Sequence, residues 1–260
     1  MEYIYKYPRT RHLEGSGLQA DDDPVTAPWS ELAGRYLVIE EKIDGANCGV
    51  SFRADGQLQL QSRGHYLTGG PRERQFALFK SWAYRYYTEL WDMLGSRYIL
   101  YGEWCYSKHS IFYNDLPHYF MAFDMLDTTT GTFLATERRA AMLRIAPCIA
   151  SVNVLHTGTV ASLAALQAFV GPSHFITAKQ REALEAAAQE VGLDPALVVA
   201  ESDLRGMMEG LYIKTEAEGR VTGRFKYVRR GFLQTVLDSG SHWQERPLIP
   251  NRLRAGVELW

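Results

Sequence analysis

The stretch Tyr36–Asn47, YLVIEEKIDGAN, decides the fold and is the most informative segment of this 260-residue chain. Residues 36–44 are rich in β-branched and aromatic side chains and predict a strand. Asp44 and Gly45 then predict a turn. Lys42 therefore lies near the end of a strand, with carboxylates on both sides. Taken alone, the pattern also fits an ordinary solvated lysine, so its interpretation depends on the rest of the chain.

The composition is typical of a folded globular protein, with 46% apolar and 22% charged residues. No apolar run approaches the roughly 20 residues that span a bilayer, and residues 1–15 lack the apolar stretch of a secretory signal. We therefore expect a cytoplasmic protein without a membrane partner. The three cysteines are widely spaced and form no CxxC pair, which argues against a disulfide framework or a zinc site.

The formal net charge of −2 gives no general support for nucleic-acid binding. Contacts with phosphates would have to come from local basic clusters. Three such clusters occur in the sequence: Lys6, Arg9 and Arg11; Arg72 and Arg74; and Arg224, Lys226, Arg229 and Arg230. Taken singly, each cluster fits a solvated face better than a binding site.

The hydrophobic pattern predicts strands in clusters that are separated by helices. Residues 14–34 indicate a loop, and segments 48–53 and 57–62 indicate a hairpin whose turn, Asp55-Gly56, needs positive φ at both positions. Further strands are predicted at 97–106, 119–127, 210–216 and 221–228, the last two joined at Glu218-Gly219, and helices at 76–94, 136–146, 159–170 and 178–191. The tail 240–260 indicates a loop with a short helix. This order favours an α+β fold with antiparallel sheets flanked by helices.

Five short motifs follow Lys42 in the chain. They are Ser62-Arg63, Tyr101–Trp104, Phe120–Asp124, Glu209–Lys214 and Arg224–Lys226. With the Lys42 segment, they resemble the ordered motifs of the covalent nucleotidyltransferases, which comprise ATP-dependent DNA ligases, RNA ligases and mRNA capping enzymes. Each motif is weak alone, but six in the correct order between residues 42 and 226 make a strong match.

Within that superfamily, the chain most resembles ATP-dependent RNA ligases of the RNA ligase 2 type. Asn47 occupies a position where DNA ligases usually carry arginine, and the leader Lys6–Leu13 looks like that of bacterial and phage RNA ligases. The Trp-x-Lys-x-Lys pattern of DNA ligases is absent. The last motif departs from the K-x-K of related RNA ligases, because only Lys226 is a lysine and its partner, Arg224 or Val228, stays open.

The resemblance implies a ligase nucleotidyltransferase domain, ATP-grasp-like, without a complete C-terminal OB-fold. We expect a leader and loop at 1–35, an adenylyltransferase domain at 36–235 and a short packed tail at 236–260. We also expect that substrate binding is weak, or that an accessory protein or a domain of another chain assists it.

The resemblance also assigns roles in the site. Lys42 attacks ATP and forms lysyl-AMP, Phe123 stacks on the adenine, and Glu103 and Glu209 hold Mg²⁺ or Mn²⁺. The nucleotide contacts implied are Glu41, Asp44, Gly45, Asn47, Arg63, Glu103, Phe123, Glu209, Lys214 and Lys226. A free lysine has a pKa of about 10.4, so Lys42 must lose a proton before it attacks. We expect nearby cationic charge, from the metal and from Lys214 and Lys226, or desolvation to promote that loss.

Three alternatives remain at this point. The same chemistry could serve a DNA ligase or a capping-type guanylyltransferase, and a non-catalytic nucleic-acid-binding module could keep the fold. The expected partner is RNA, as a nicked duplex or a broken tRNA.

Overall fold

A computed structural model describes residues 4–18, 22–232 and 247–260, and these residues form two mainly antiparallel sheets. In the described part of the chain, the first sheet has five strands in the order β1 (Arg11–His12), β11 (Arg220–Val228), β10 (Gly210–Ala217), β2 (Leu37–Lys42) and β9 (Val154–Gly158). The pairing of β1 with β11 is parallel. The strand predicted at 36–44 thus lies inside a sheet, next to β10.

The second sheet contains the predicted hairpin. Its described strands run in the order β4 (Leu58–Ser62), β3 (Ala46–Phe52), β5 (Tyr98–Trp104), β6 (Phe120–Asp127) and β7 (Thr132–Phe133), with β8 (Ala150–Ser151) parallel to β6. A short turn separates β2 from β3, so the chain passes from one sheet to the other directly after Lys42. Any side chain at this crossing can contact both sheets.

Helices flank the sheets. They are α1 (Ala77–Arg85), α2 (Tyr87–Leu94), α3 (Thr136–Leu143), α4 (Leu163–Gln167), α5 (Gln180–Glu190) and α6 (Pro195–Ala200), with 3-10 turns at Trp29–Glu31 and Pro71–Phe76. The predicted α+β class with antiparallel sheets and flanking helices is therefore confirmed. Among the described residues, no helix is both long and apolar enough to cross a membrane.

Apolar residues pack in layers on both sides of each sheet. Residues of α1 and α2 cover the outer face of the second sheet, with Trp82 and Phe120 fully buried. Leu166 of α4 covers the outer face of the first sheet. A third cluster joins the inner faces, where Phe123 of β6 and Tyr212 of β10 meet. The inner faces are therefore close enough to share one site.

Several boundaries differ from the prediction. The helix expected at 76–94 is two helices, because Tyr86 leaves helical geometry with ψ of 29°. The helix expected at 159–170 is shorter and corresponds to α4. It begins after Ser162, which caps it, because the chain before it leaves the first sheet only at Gly158. Neither the edge strands β7–β9 nor α6 was predicted. Residues 240–246 lie outside the described residues, and 247–260 contain isolated bridges but no helix.

The two predicted turns also differ from each other. At the first, Gly56 has φ of +84° and its N–H donates to the carbonyl of Arg53, while Asp55 keeps a negative φ. The prediction of positive φ at both positions is therefore wrong there. At the second, Glu218 and Gly219 have φ of +52° and +76°, as a two-residue hairpin turn requires.

Candidate active site

Lys42 occupies the last position of β2, where it pairs with Gly210 of β10. Its Nζ donates a hydrogen bond to Oε2 of Glu209 over 2.7 Å, although the two residues are 167 apart in sequence. The Lys42 side chain is 27% exposed and that of Glu209 is 8% exposed. The sheet thus brings two of the predicted motifs into direct contact at a half-buried position.

The charges around Lys42 keep it protonated. Burial lowers its pKa, but the carboxylates of Glu209, Glu103 and Asp44 outweigh burial and raise the pKa above its ordinary value. Burial therefore acts on this pKa in the expected direction but is outweighed by the three carboxylates, and the expected effect of the metal stays a prediction. Nucleophilic chemistry at Lys42 requires that part of this negative charge be neutralised first.

Glu103 faces the same crossing from the second sheet. It pairs with Asn47 of β3, so these two side chains are cross-strand neighbours on one face. The pKa of Glu103 is raised to about 7, chiefly by burial. Among the nearby charges, Lys42 lowers this pKa and Glu209 raises it. Glu103 is therefore a carboxyl poised between its two charge states near neutral pH.

Glu103 and Glu209 have the chemistry that a hard divalent cation prefers, because Mg²⁺ takes oxygen ligands. Burial also raises the pKa of Glu209, so both carboxylates lack solvation. Among the described residues, no group of three or more His, Cys, Asp or Glu side chains is arranged to hold a metal alone. Mg²⁺ commonly takes one or two carboxylates and completes its shell with water and substrate phosphates.

The Asp44-Gly45 turn has a structural cause. Asp44 Oδ2 accepts hydrogen bonds from the backbone N–H groups of Ser110 and Ile111 at 2.7 and 2.9 Å, which anchors the loop after β5. A Cβ at Gly45 would lie 2.9 Å from the carbonyl oxygen of Trp104. Only glycine allows the turn before β3 to lie this close to the backbone of β5.

Glu41 lies on the opposite face of β2 from Lys42, as strand alternation dictates. It is buried and accepts hydrogen bonds from Ser173 Oγ at 2.6 Å and from His174 Nδ1 at 2.8 Å. The structure therefore does not bring Glu41 to the ammonium of Lys42, and its predicted nucleotide contact remains untested.

Lys214 also lies away from Lys42. Its buried Nζ lies 2.9 Å from Glu40 and 3.0 Å from Asp124, and it donates to the carbonyl oxygen of Phe123 at 2.6 Å. Lys214 thus belongs to an ion-pair network between the sheets, and its predicted phosphate contact stays a prediction.

That network was not predicted. Arg139 of α3, fully buried, donates to Glu40 at 2.6 Å. The hydroxyls of Tyr7 and Tyr212 each donate to Asp124 at 2.6 Å. Arg139 occurs in an amphipathic helix pattern with Arg138 beside it, and nothing in the local sequence distinguishes the buried arginine from the exposed one.

Phe123 lies between the sheets with 9% exposure. The rings of Tyr7 and Tyr212 contact it edge-on, with centroids 5.2 and 5.9 Å away. Its carbonyl is held by Lys214. The ring is thus fixed close to the site by apolar and polar contacts, and its stacking on adenine stays a prediction.

The remaining predicted cations lie on two elements, one after β4 in the second sheet and the others on β11 in the first. Arg63 is exposed after β4, and its charge lowers the pKa of Glu103. Lys226 and Arg224 lie on the same face of β11, opposite Tyr212 and Lys214. Val228 also lies on this face, so the partner of Lys226 in the last motif stays open between Arg224 and Val228. The Arg224 guanidinium lies 4.0 Å from the ring centroid of Phe133.

Comparisons with known proteins agree with this geometry. A family model described as RNA ligase matches residues 35–228, which include Lys42, Glu103, Glu209 and Lys226. Because this match spans most of the chain, the protein belongs to the RNA ligase family.

Solved structures of one RNA ligase are similar to this chain. A variant of the Naegleria gruberi RNA ligase in apo form matches with a TM-score of 0.53 and 17% identity, over 80% of this chain and 53% of that chain. Another variant of that ligase, with ATP and Mn, matches with a TM-score of 0.49 and 16% identity, over 80% and 54%. The chain thus spans about half the length of these ligases. No curated protein sequence matches it.

Proposed function

We propose that the chain is an ATP-dependent RNA ligase, of the RNA ligase 2 type, that joins 5′-phosphate and 3′-hydroxyl ends through a lysyl-AMP intermediate on Lys42. The observation that carries the proposal is the 2.7 Å contact between Lys42 and Glu209, beside the half-buried carboxyl of Glu103. Two poorly solvated carboxyls beside a lysine are not expected at an ordinary surface position. They are expected beside a nucleophile, where they can bind the cation that accompanies a triphosphate.

In the first step, Lys42 Nζ attacks the α-phosphorus of ATP, and the bond to the pyrophosphate oxygen breaks. The attacking nitrogen must lose protons, and in the free protein Glu209 holds it as an ammonium ion. A Mg²⁺ or Mn²⁺ ion held by Glu103 and Glu209 would supply positive charge that neutralises these carboxylates and stabilises charge on the phosphates. Lys42 could then reach the neutral, nucleophilic form.

Other side chains orient the nucleotide. Lys226, on the strand next to β10, and exposed Arg63 supply positive charge for the phosphates. Phe123 offers its ring to the adenine. Lys214 donates to the carbonyl oxygen of Phe123 and thereby positions that ring, and the proposal also assigns its positive charge to the phosphates. Asn47, beside Glu103, supplies an amide that can bind a ribose or phosphate oxygen.

In the second and third steps, AMP passes from Lys42 to an RNA 5′-phosphate, and a 3′-hydroxyl then attacks that phosphate and releases AMP. The substrate is a nicked duplex or a broken tRNA. In this proposal, residues 36–235 are the adenylyltransferase domain, residues 1–35 the leader and residues 236–260 the short C-terminal tail. An ATP-dependent repair reaction of this kind, with reduced cysteines, belongs in a cytoplasm.

Sealing of a labelled nicked duplex tests this proposal. With ATP and Mg²⁺, the purified chain should join the nick when the 3′-hydroxyl strand is RNA, and less efficiently when it is DNA. GTP should not replace ATP, and Lys42→Ala should seal nothing. Preferred sealing of an all-DNA nick would favour a DNA ligase, and GTP-dependent labelling would favour a capping-type enzyme. Because weak substrate binding is expected, the assay uses enzyme in large excess over the nick, and no sealing under that condition would contradict the proposal.

A further inference from the structure

A carboxylate of the protein itself contacts the cationic residue of the last motif. Asp22, in the loop before β2, places Oδ1 3.1 Å from Lys226 Nζ and Oδ2 3.0 Å from His12 Nε2. The two oxygens of one carboxylate thus bridge a lysine and a histidine from different strands. This is the spacing at which an anion is held by two donors.

The two donors are prearranged by the first sheet. His12 of β1 and Lys226 of β11 are direct partners across the parallel pair. Ser16 Oγ lies 2.8 Å from His12 Nδ1 and fixes the ring. Asp22 Oδ2 lies 3.0 Å from Nε2 of the ring, and because an ionised carboxylate can only accept, His12 serves as the donor at this contact.

This pair of donors lies close to the nucleophile. Burial, and then repulsion from the charge of Lys42, lowers the pKa of Lys226. Burial and the charge of Lys226 lower the pKa of His12, and the charge of Lys42 lowers it further. Lys226 and Asp22 are each 21% exposed, so a ligand from solvent can reach the contact. His12 itself is buried at 4% exposure.

We propose that His12 and Lys226 form a phosphate-binding site and that Asp22 occupies it until a substrate phosphate takes its place. The inference rests on the proposed function and extends it to the leader, since His12 had no assigned role. A phosphate offers more charge and more acceptor oxygens than a carboxylate, so it can replace Asp22 on the same two donors. The phosphate could come from the triphosphate of ATP or from the 5′ end of RNA.

Asp22→Asn tests the site, and Asp23→Asn is its matched control. Asp23 lies in the same loop and carries the same charge, but its carboxylate accepts a hydrogen bond from Val25 N–H. Titration of inorganic pyrophosphate into the unadenylated protein should show binding about five- to tenfold tighter for Asp22→Asn than for wild type. Asp23→Asn should match wild type. Adding His12→Gln to Asp22→Asn should abolish the gain.

The same variants, titrated with an RNA oligonucleotide carrying either a 5′-phosphate or a 5′-hydroxyl, distinguish the two sources. A gain for pyrophosphate alone assigns the site to the triphosphate, and a gain that requires the 5′-phosphate assigns it to RNA. Equal binding by Asp22→Asn and Asp23→Asn in both titrations would overturn the inference. Neither titration requires adenylation, so failure of the proposed ligase activity would be seen separately. Thermal unfolding of each variant verifies that it is folded.

Discussion

Gly45 is required by the close approach of two backbones rather than by chemistry at its own position. A Cβ there would lie 2.9 Å from both Trp104 O and the Cγ of Glu103. We predict that Gly45→Ala lowers the free energy of unfolding by about 1–3 kcal/mol and displaces Glu103. Gly64→Ala is the control, because a Cβ at Gly64 meets nothing within 4 Å. Urea unfolding of both variants measures the difference, and equal stability would contradict the explanation.

Glu103 makes stability depend on pH. Burial raises its pKa from the ordinary value of 4.5 to about 7 in the folded protein. A carboxyl whose folded pKa is raised binds protons more tightly in the fold, so stability falls as pH rises from about 4.5 through 7.

We therefore predict that Glu103→Gln gains stability relative to wild type between pH 5 and pH 8, by up to about 3 kcal/mol. Urea unfolding in EDTA without nucleotide measures this. Glu182→Gln, at an exposed position of α5, should follow wild type at every pH. A stability difference between Glu103→Gln and wild type that does not change with pH would mean that Glu103 is already ionised at pH 5.

At the scale of elements, the Glu40–Arg139 pair joins α3 to β2. Both side chains are almost fully buried, with 0% and 1% exposure. Removing one partner of a buried pair leaves an uncompensated charge, so we predict that Arg139→Ala costs about 3–5 kcal/mol. Arg144→Ala, exposed at the C-terminal end of the same helix, should cost less than about 0.5 kcal/mol. Comparable urea midpoints for the two variants would contradict this.

Local pattern predicted the elements that form the site, because they are long and strongly patterned. β2, the hairpin β3–β4 and the hairpin β10–β11 were all predicted within a few residues. The two-residue edge strands β7 and β8 were not, since such short pairings depend on neighbouring strands rather than on their own residues. The break at Tyr86 also has no Pro or Gly to mark it.

The site residues were likewise predicted only in part from the sequence. The order of motifs brought Lys42 and Glu209 together correctly, because both flank strands that pair. Which face each side chain takes was harder to predict. Glu41 has the right chemistry, yet it lies on the face of β2 opposite Lys42. Lys214 shares the face of Lys42, but it is buried against Glu40 and Asp124. His12 and Asp22 were missed as partners of Lys226, because their contact depends on a parallel pairing across more than 200 residues.

At the scale of the molecule, the leader ties the two sheets together. Tyr7 is 5% exposed; its ring contacts Tyr101 and Phe123 of the second sheet, and its hydroxyl lies 2.5 Å from that of Tyr212 in the first. Tyr7 therefore lies between the inner faces of the two sheets and contacts both.

We predict that Tyr7→Ala lowers the free energy of unfolding by about 3–5 kcal/mol, as for other large aromatic side chains in cores. Tyr84→Ala is the control, because Tyr84 is 66% exposed and should change stability by less than about 0.5 kcal/mol. A Tyr7→Ala protein as stable as the Tyr84→Ala protein would show that the leader is only loosely attached.

The most direct test of the site is the intact mass of the protein after incubation with ATP and Mg²⁺, followed by peptide mapping. One added AMP, located on Lys42 and absent from Lys42→Ala, is the predicted result. Pyrophosphate should reverse it, and GTP should not replace ATP. An unchanged mass, or an adduct on another residue while Lys42 stays unmodified, would contradict the assignment of Lys42 as the nucleophile.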